Sequence, residues 1–434
     1  MAVSKKARLD KGWCLVLSGG GTKGVYHIGV WTALKELGIQ VDGCVGTSIG
    51  AILGAIFCQG ADEGLEELVE GMGIDAILAL PKEFEGGEGI KLDGSVLSAA
   101  PSLLKSVVEK GGLDTSPLRQ LLESRLDEDA IRRSGKDFGV VAVNLSDLKP
   151  KEIFIDAMEK GSLIDYIMAS AAFPGFQNPV IGGKRYLDGG IYDNIPYAMA
   201  RKRGYRRLIV SDMSGAGRNR RPEIEGSLTV YIKNSIEMGG IFDFDPAFFH
   251  KFSRLGYLDT MRTFGRYEGY DYFIEPDPDA EAEAAKADIP ALAADETRRL
   301  PDRMAYDPRR LLCRLECAAS MLEVDRLRPY SYAQLDAAIR AKAEAEESLL
   351  ASPGLGEGQS LPARISALRK AVSERKFDRC PFHYWMLAGQ ILPRRTARVV
   401  RKALEGIFPA LPVGLDYLKS IVSMDPQRAT RRKV

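Results

Sequence analysis

The first half of the chain alternates short apolar runs with longer segments whose apolar residues recur at helical spacing. The runs WCLVLS (13–18), GCVGTS (43–48) and FGVVAVNLSD (138–147) have the length and composition of buried strands. Residues 25–37 and 49–60 have the pattern of helices. Strands and helices that alternate in this way indicate a mainly parallel sheet. We therefore predict an α/β fold, a three-layer mainly parallel sheet covered by helices.

The pattern changes near residue 280. Residues 279–300 (DAEAEAAKADIPALAADETRRL) are rich in Ala and Glu, and the sequence that follows is mostly helical by periodicity. We predict an α/β domain over residues 1–280 and an α-helical C-terminal region of unknown role over residues 281–434. A helical insertion is expected within the first domain, between residues 61 and 133.

Composition narrows the class of protein further. The 434 residues are 45% hydrophobic, and 60 Lys and Arg nearly cancel 59 Asp and Glu. No overall charge therefore favours nucleic acid as a partner. The apolar run near the N-terminus is too short for a signal-peptide core, and no apolar stretch has the length of a membrane span. We expect a cytoplasmic protein. Six scattered cysteines without a C-x-x-C pair give no reason to expect a metal.

A glycine-rich stretch follows the first predicted strand. Gly19, Gly21 and Gly24 spell G-x-G-x-x-G between a strand and a helix, the dinucleotide-binding arrangement. Asp42, 18 positions after Gly24, could serve as the ribose-binding acid. Backbone N–H groups at such a turn attract any anion, however, including the oxyanion of a reacting ester. The glycines alone leave a nicotinamide enzyme and a hydrolase open.

The second strand ends in a different motif. Gly46, Ser48 and Gly50 form G-x-S-x-G between a predicted strand and an apolar helix, the setting of a nucleophile elbow. A nicotinamide site would need its acid at the end of this strand, whereas Asp42 precedes or begins the strand. The elbow therefore favours a serine hydrolase.

Ser48 would need a base to activate it. His27, His250 and His383 have apolar or aromatic neighbours, and a structural role is expected for all three. Asp188 instead follows a short predicted strand, residues 185–187, and enters two glycines, which would leave its carboxylate at a tight turn.

These motifs occur in the order found in the patatin-like phospholipase family, which the chain resembles. The family's G-G-G-x-[KR]-G, G-x-S-x-G and D-G-[GA] motifs are matched by residues 19–24, 46–50 and 188–190. Residues 169–180 (ASAAFPGFQNPV) resemble the family's small-residue segment, and Asn194 and Pro196 match the residues expected after D-G-G. The resemblance runs from about residue 13 to about residue 213 and does not reach the C-terminal half.

The resemblance implies a patatin-like fold and a serine acyl hydrolase of the phospholipase A or lysophospholipase type. Ser48 would be the nucleophile and Asp188 the general base and acid. The implied oxyanion hole consists of Gly19, Gly20 and Gly21. The remaining motif residues are expected to support the site: Lys23, Gly24, Gly46, Gly50, Gly189 and Gly190. Lys23 would support the loop or a lipid headgroup.

The expected partner is a phospholipid or another acyl-ester substrate, with no cofactor and no metal. Peripheral contact with an anionic membrane is a further expectation, for which the basic residues near the C-terminus are candidates: Arg428, Arg431, Arg432 and Lys433. The phenylalanine-rich residues 238–258 are expected to form either a lid or part of the core. Two further alternatives stay open, a non-catalytic lipid-binding or scaffolding protein and a Ser-His-Asp α/β-hydrolase esterase.

Overall fold

A computed structural model of the chain describes residues 11–79, 111–220, 224–240, 242–286, 300, 302–351 and 360–421. Its contacts divide the chain into two compact units, Met1–Phe264 and Gly265–Val434. The domain boundary predicted near residue 280 stays a prediction, because a division by contacts does not test whether the two parts fold independently. The predicted insertion at 61–133 lies partly outside the described residues. The basic residues after position 421 lie wholly outside them.

The first unit contains a sheet and the helices that flank it. Its strands are β1 (Trp13–Leu17), β2 (Val41–Thr47), β3 (Asp137–Asn144), β4 (Lys149–Phe154), β5 (Val180–Ile181), β6 (Lys184–Asp188), β7 (Arg207–Asp212) and β8 (Leu228–Lys233). Its α-helices are α1 (Val25–Glu36), α2 (Ile49–Gln59), α3 (Leu65–Glu70), α4 (Ser116–Arg125), α5 (Glu128–Arg133), α6 (Leu163–Ser170), α7 (Tyr197–Lys202) and α8 (Pro246–Thr263). Short 3₁₀ helices cover Gly21–Gly24, Ile74–Ala76, Ile155–Ala157 and Gly189–Ile191.

The sheet is mostly parallel. Its strands run in the order β5-β6-β3-β2-β1-β7-β8, and β4 pairs with β3 beside this path. The strands β3, β2, β1, β7 and β8 are parallel, whereas β4 and β6 are antiparallel to β3. All residues of β1 and β2 are buried apart from Trp13 and Asp42, as strands covered on both faces require. The predicted α/β fold class is confirmed.

The register of the strands brings two distant parts of the sequence to one edge. The last residue of β2, Thr47, pairs with Val141 of β3, and β3 continues beyond it. The antiparallel strand β6 runs back along this extension, where Asp188 pairs with Ala142. Because Ala142 directly follows Val141, β6 ends beside the point where β2 ends. Asp188 therefore reaches the edge of the sheet from which Ser48 starts α2.

Helices α1 and α8 touch through their backbones. A Cβ atom at Gly29 of α1 would lie 1.8 Å from the carbonyl oxygen of Ser253, and one at Gly256 of α8 would lie 2.0 Å from that of Tyr26. Both distances are far below van der Waals contact, so each position accepts only glycine without a shift of a helix. This approach holds α1, and with it the glycine-rich loop that precedes α1, against α8.

The second unit is mainly helical. Its α-helices are α9 (Pro278–Lys286), α10 (Arg310–Met321), α11 (Tyr332–Ala351), α12 (Leu361–Glu374), α13 (Pro381–Ile391), α14 (Arg394–Ile407) and α15 (Leu411–Ile421). Two short strands, β9 (Phe273–Ile274) and β10 (Pro329–Tyr330), pair in parallel. An apolar core joins the helices, and Leu335, Phe382 and Leu404 lie in it without exposed surface. Within the described ranges, no helix has the length and apolar character needed to cross a membrane.

The contact between α1 and α8 predicts that alanine substitutions at helical glycines differ in their effect on the free energy of unfolding. Gly29→Ala and Gly256→Ala should each lower the free energy of unfolding by about 3 kcal/mol, since the added methyl group forces two backbones apart. Gly406→Ala in α14 is the matched control, because a Cβ there meets nothing within 4 Å, and helix propensity should make it neutral or stabilising by up to about 1 kcal/mol. Urea unfolding followed by tryptophan fluorescence measures all three. Wild-type stability of both α1 and α8 variants would contradict the described approach.

Candidate active site

The turn that carries Ser48 joins β2 to α2. Ser48 is the N-cap residue of α2 and has φ 56° and ψ −125°, a conformation that a residue with a side chain adopts at a cost. A Cβ atom at Gly46 would lie 2.1 Å from the carbonyl oxygen of Gly50, and one at Gly50 would lie 2.5 Å from that of Leu17. The glycines of G-x-S-x-G are thus required by close backbone approaches. They allow a sharp turn that presents Ser48 at the N-terminus of a helix.

The glycine-rich loop after β1 lies beside this turn. Gly20 (φ 157°) and Gly21 (φ 61°) line the same cavity as Ser48. Their N–H groups donate no hydrogen bond to another residue in the described part of the chain, so they can serve an oxygen atom in the cavity. Gly19 differs, because its N–H donates to the carbonyl oxygen of Asn194 at 3.2 Å. The N–H groups of Gly20 and Gly21 are therefore available to an oxygen atom in the cavity, whereas that of Gly19 already has a backbone partner.

Asp188 is a buried carboxylate at the end of β6, with 6% of its surface exposed. Burial raises its pKa from the ordinary 3.8 to about 6, while hydrogen bonding from the N–H of Gly190 and from the Ser48 hydroxyl acts in the opposite direction. The Gly190 nitrogen lies 2.7 Å from Asp188 Oδ1.

Two side chains without an assigned role in the sequence analysis hold these parts together. The hydroxyl of Ser170, the last residue of α6, accepts a hydrogen bond from the backbone N–H of Ser48 at 2.9 Å. The side-chain amide of Asn194 donates to the carbonyl oxygen of Gly19 at 3.3 Å, and Asn194 is 1% exposed. The turn after Asp188 is thereby tied to the glycine-rich loop. Both side chains lie in blocks that the resemblance singled out, but their partners depend on tertiary structure.

Ser48 and Asp188 lie at a largely apolar cavity of about 370 Å³. One wall is a stripe on α2 formed by Ile49, Ile52, Leu53 and Ile56, which lie on one face of the helix. Further apolar lining comes from α3, α4 and the phenylalanine-rich segment: Leu65, Leu68, Val69, Leu118, Leu121, Leu122, Phe242, Phe244 and Phe249. A cavity of this size and composition suits an extended apolar ligand. The segment at 238–258 thus contributes to the cavity wall, while Phe248 and Phe252 in it are buried.

Among the described residues that line the cavity there is no histidine. His27 is fully buried, with its ring nitrogens 2.7 Å from the Ser211 hydroxyl and 2.9 Å from the Ser18 carbonyl oxygen. Burial lowers the pKa of His27 to about 4, so its ring is neutral. His250 is largely exposed on α8, and His383 belongs to the second unit. No Ser-His-Asp triad is therefore assembled around Ser48 by the described residues.

The structure also bears on the nicotinamide hypothesis. Asp42 is the second residue of β2 and accepts a hydrogen bond from the N–H of Gly12 at 2.7 Å. It lies at the amino end of β2, whereas the glycine-rich loop follows the carboxyl end of β1. A ribose-binding acid has to lie at the carboxyl end of β2, near the glycines. The residues present therefore do not fit a dinucleotide.

Lys23, the basic residue of the glycine motif, is 7% exposed and is absent from the described cavity lining. Burial lowers the pKa of its ammonium group, and the charge of Glu237 partly offsets this effect. The backbone next to Lys23 is tightly packed, since a Cβ at Gly24 would lie 2.2 Å from Ile49 Cγ1. This location favours the expected loop role of Lys23 over contact with a lipid headgroup.

Comparison with known proteins finds a family match over part of the chain. Residues 15–201 match the family model described as patatin-like phospholipase. The chain is 29% identical over 202 residues to a patatin-like phospholipase domain-containing protein of Caenorhabditis elegans and 28% identical over 207 residues to the lysophospholipase NTE1 of Candida albicans. Each match covers 46% of this chain and 13% of the relative. Among solved structures, VipD from Legionella pneumophila gives a TM-score of 0.38 at 14% identity, covering 95% of this chain and 87% of that one.

The mostly parallel sheet with a serine elbow, a glycine-rich loop and a D-G-G turn at one edge defines a patatin-like α/β protein. Residues 15–201 match the model of the patatin-like phospholipase family, which confirms the resemblance found in the sequence. The matched region is 13% of the length of the two relatives named above, so it corresponds to a small part of each. This match supports a lipid ester hydrolase.

The raised pKa of Asp188 predicts how the reactivity of Ser48 depends on pH. On the expectation that Asp188 is the base of Ser48, only its ionised carboxylate accepts the serine proton, so the rate of covalent labelling by a fluorophosphonate should rise with pH, with a midpoint near 6. Below this midpoint the rate should fall about tenfold per pH unit. An unshifted carboxyl would instead place the midpoint near 3.8. The profile is measured in the wild type and in His250→Gln, whose profile should be the same; a midpoint near 4 would contradict the effect of burial.

Proposed function

We propose that the chain is a serine lipid acyl hydrolase of the phospholipase A or lysophospholipase type that uses Ser48 and Asp188 as a catalytic dyad. The observation that carries this proposal is the joint position of three groups at one apolar cavity. These groups are the serine of a strained elbow, a buried carboxylate with a pKa of about 6, and two glycine N–H groups without another partner in the described chain. A serine, a base and oxyanion donors are the components that acyl transfer requires.

The mechanism begins with the Ser48 hydroxyl, which is a weak nucleophile until a base removes its proton. Asp188 accepts this proton as Ser48 Oγ forms a bond to the ester carbonyl carbon. The protonated Asp188 then donates to the departing alcohol as the ester bond breaks, leaving an acyl group on Ser48. Asp188 then accepts a proton from a water molecule as the water oxygen attacks the acyl carbon. The bond between this carbon and Ser48 Oγ breaks, Asp188 returns the proton to Ser48, and the fatty acid is released. A carboxylate with a pKa near 6 suits both directions of transfer near neutral pH.

The negative charge that develops on the carbonyl oxygen is stabilised by the N–H groups of Gly20 and Gly21. Such a donor contributes roughly 3 to 4 kcal/mol to catalysis where it has been measured. The positive end of α2, which starts directly after Ser48, adds to the same field. Both contributions are present before substrate arrives, because Asn194 and Ser170 fix the loop and the serine backbone.

The cavity supports an acyl chain as the substrate's apolar part. The stripe on α2 extends from Ser48 to Ile56, eight residues, or about 12 Å along the helix axis. An extended alkyl chain advances about 1.25 Å per carbon, given carbon–carbon bonds of about 1.5 Å, so roughly ten carbons lie along this stripe. A non-catalytic lipid-binding protein could use the same cavity, but it would need neither the strained serine nor the buried carboxylate.

Peripheral contact with an anionic membrane is part of the proposal, and α14 in the second unit supports it. Its exposed side includes four cations, Arg394, Arg395, Arg398 and Lys402, and none of them forms an ion pair with another described residue. Val399, 70% exposed, lies among them. A basic helix face with an exposed apolar residue suits the headgroup region of a bilayer. We therefore propose α14 as the membrane-facing element of the second unit.

The dyad is tested by replacing each member. Ser48→Ala and Asp188→Asn should each lower the release of p-nitrophenol from a p-nitrophenyl acyl ester by about a thousandfold or more, since neither can be replaced by a neighbouring group. Asp42→Asn is the matched control, because it makes the same chemical change at the opposite edge of the sheet, and it should retain activity. Near-normal turnover by Asp188→Asn would overturn the dyad, and loss of activity in His250→Gln or His383→Gln would favour a histidine base.

Membrane contact is tested by charge reversal on α14. Arg398→Glu combined with Lys402→Glu should weaken binding to phosphatidylcholine–phosphatidylserine vesicles by about tenfold or more, at roughly 1 kcal/mol per charge. The control reverses two exposed lysines on other helices, Lys342→Glu combined with Lys370→Glu, for the same change in net charge. Vesicle sedimentation measures both pairs. An equal loss of binding in the two pairs would show that net charge, rather than α14, governs the contact.

A further inference from the structure

Three ionisable side chains line the described cavity: Asp188, Arg125 and Arg218. The two arginines lie toward different ends of it. The carbonyl oxygen of Arg125 accepts a hydrogen bond at 3.1 Å from the side chain of Gln59, the last residue of α2, so Arg125 lies near the end of α2 that is remote from Ser48. Arg218 instead belongs to the end where the chemistry occurs.

The backbone of Arg218 is fixed beside the catalytic groups. Its N–H donates to the carbonyl oxygen of Gly190 at 2.8 Å, and its carbonyl oxygen accepts from the N–H of Asn194 at 2.8 Å. The loop before it is packed against the glycine-rich loop, since a Cβ at Gly215 would lie 1.9 Å from the Gly19 carbonyl oxygen. Arg218 is therefore anchored to both the D-G-G turn and the oxyanion loop.

The side chain of Arg218 is exposed and makes no ion pair or hydrogen bond with another residue that the structure describes. Its neighbour Arg220 differs, because it donates to the Tyr192 hydroxyl at 2.6 Å and lies 4.8 Å from the centre of that ring. Arg218 is also absent from the groups that set the pKa of Asp188. The charge of Arg218 thus neither pairs with a described residue nor contributes to the pKa shift of Asp188.

We infer that Arg218 binds the phosphate of the substrate's headgroup and makes the site selective for phosphate-bearing acyl esters over neutral glycerides. This inference rests on the proposed function. In a glycerophospholipid the phosphate is separated from the scissile ester by the short glycerol backbone, so an acyl chain along α2 leaves the phosphate on the Arg218 side of Ser48. A guanidinium group binds phosphate through two parallel N–H donors, which the exposed side chain of Arg218 at the Ser48 end of the cavity is suited to provide.

The test compares two substrates that share one acyl ester, lysophosphatidylcholine and the monoacylglycerol of the same chain, both in a neutral detergent. Lysophosphatidylcholine has no net charge, so a difference between the two reports local recognition of phosphate. Arg218→Gln should lower kcat/KM for lysophosphatidylcholine by about 10- to 100-fold, mainly through KM, and should change the value for monoacylglycerol less than about twofold. Arg218→Lys should restore part of the loss, because it returns the charge without the paired donors.

Arg125→Gln is the matched control, since it removes the other cavity arginine. It should leave the ratio of the two kcat/KM values unchanged. Retained hydrolysis of monoacylglycerol shows that each variant is folded. An unchanged ratio in Arg218→Gln, or an equal drop of the ratio in Arg125→Gln, would overturn the inference. Failure of the proposed function has a different outcome, because the wild-type protein would then hydrolyse neither substrate.

Discussion

The backbone of Ser48 is the constraint on which the rest of the site depends. A φ of 56° with a ψ of −125° costs of order 1 to 3 kcal/mol at a residue with a side chain. The turn persists because the buried strand before it and the apolar helix after it are both fixed by packing. Its tightness brings the backbone of Gly50 against Gly46 and Leu17, so that no side chain larger than hydrogen fits at either glycine. The packing of β2 and α2, rather than the conformational preference of serine, therefore determines the backbone conformation of Ser48.

The apolar cavity explains the electrostatics of the same site. Removal of water from Asp188 raises the pKa of its carboxyl to about 6 and so makes it a stronger base than an exposed carboxylate. The same low-polarity surroundings strengthen the attraction between an oxyanion and the N–H groups of Gly20 and Gly21. In the proposed mechanism a histidine is unnecessary, because burial raises the proton affinity of the Asp188 carboxylate. The lining that accommodates an acyl chain thus also tunes the chemistry.

Much of the fold could be predicted from sequence because its signals are local. Strand β1 was expected over its observed residues, and the glycines around Ser48 and Asp188 were recognised by spacing. The roles of Asn194, Ser170 and Arg218 could not be predicted, since each depends on partners more than 20 residues away: Gly19, Ser48 and Gly190. The hydrogen bond of the Gly19 N–H is also a tertiary contact, because nothing in G-G-G distinguishes the glycine whose N–H meets the carbonyl oxygen of Asn194. The catalytic assignments themselves stay predictions.

In the proposed mechanism, helix α2 links recognition of the acyl chain to reaction. Its first turn follows Ser48 and directs the positive end of the helix dipole to the developing oxyanion, while its apolar face forms the wall along which a chain can lie. A chain that fills this face therefore fixes the position of its own ester carbonyl relative to Ser48. Since most residues of α2 are buried, the register of the chain along the helix would position the carbonyl. Binding energy remote from the ester is thus converted into alignment at the reacting carbon.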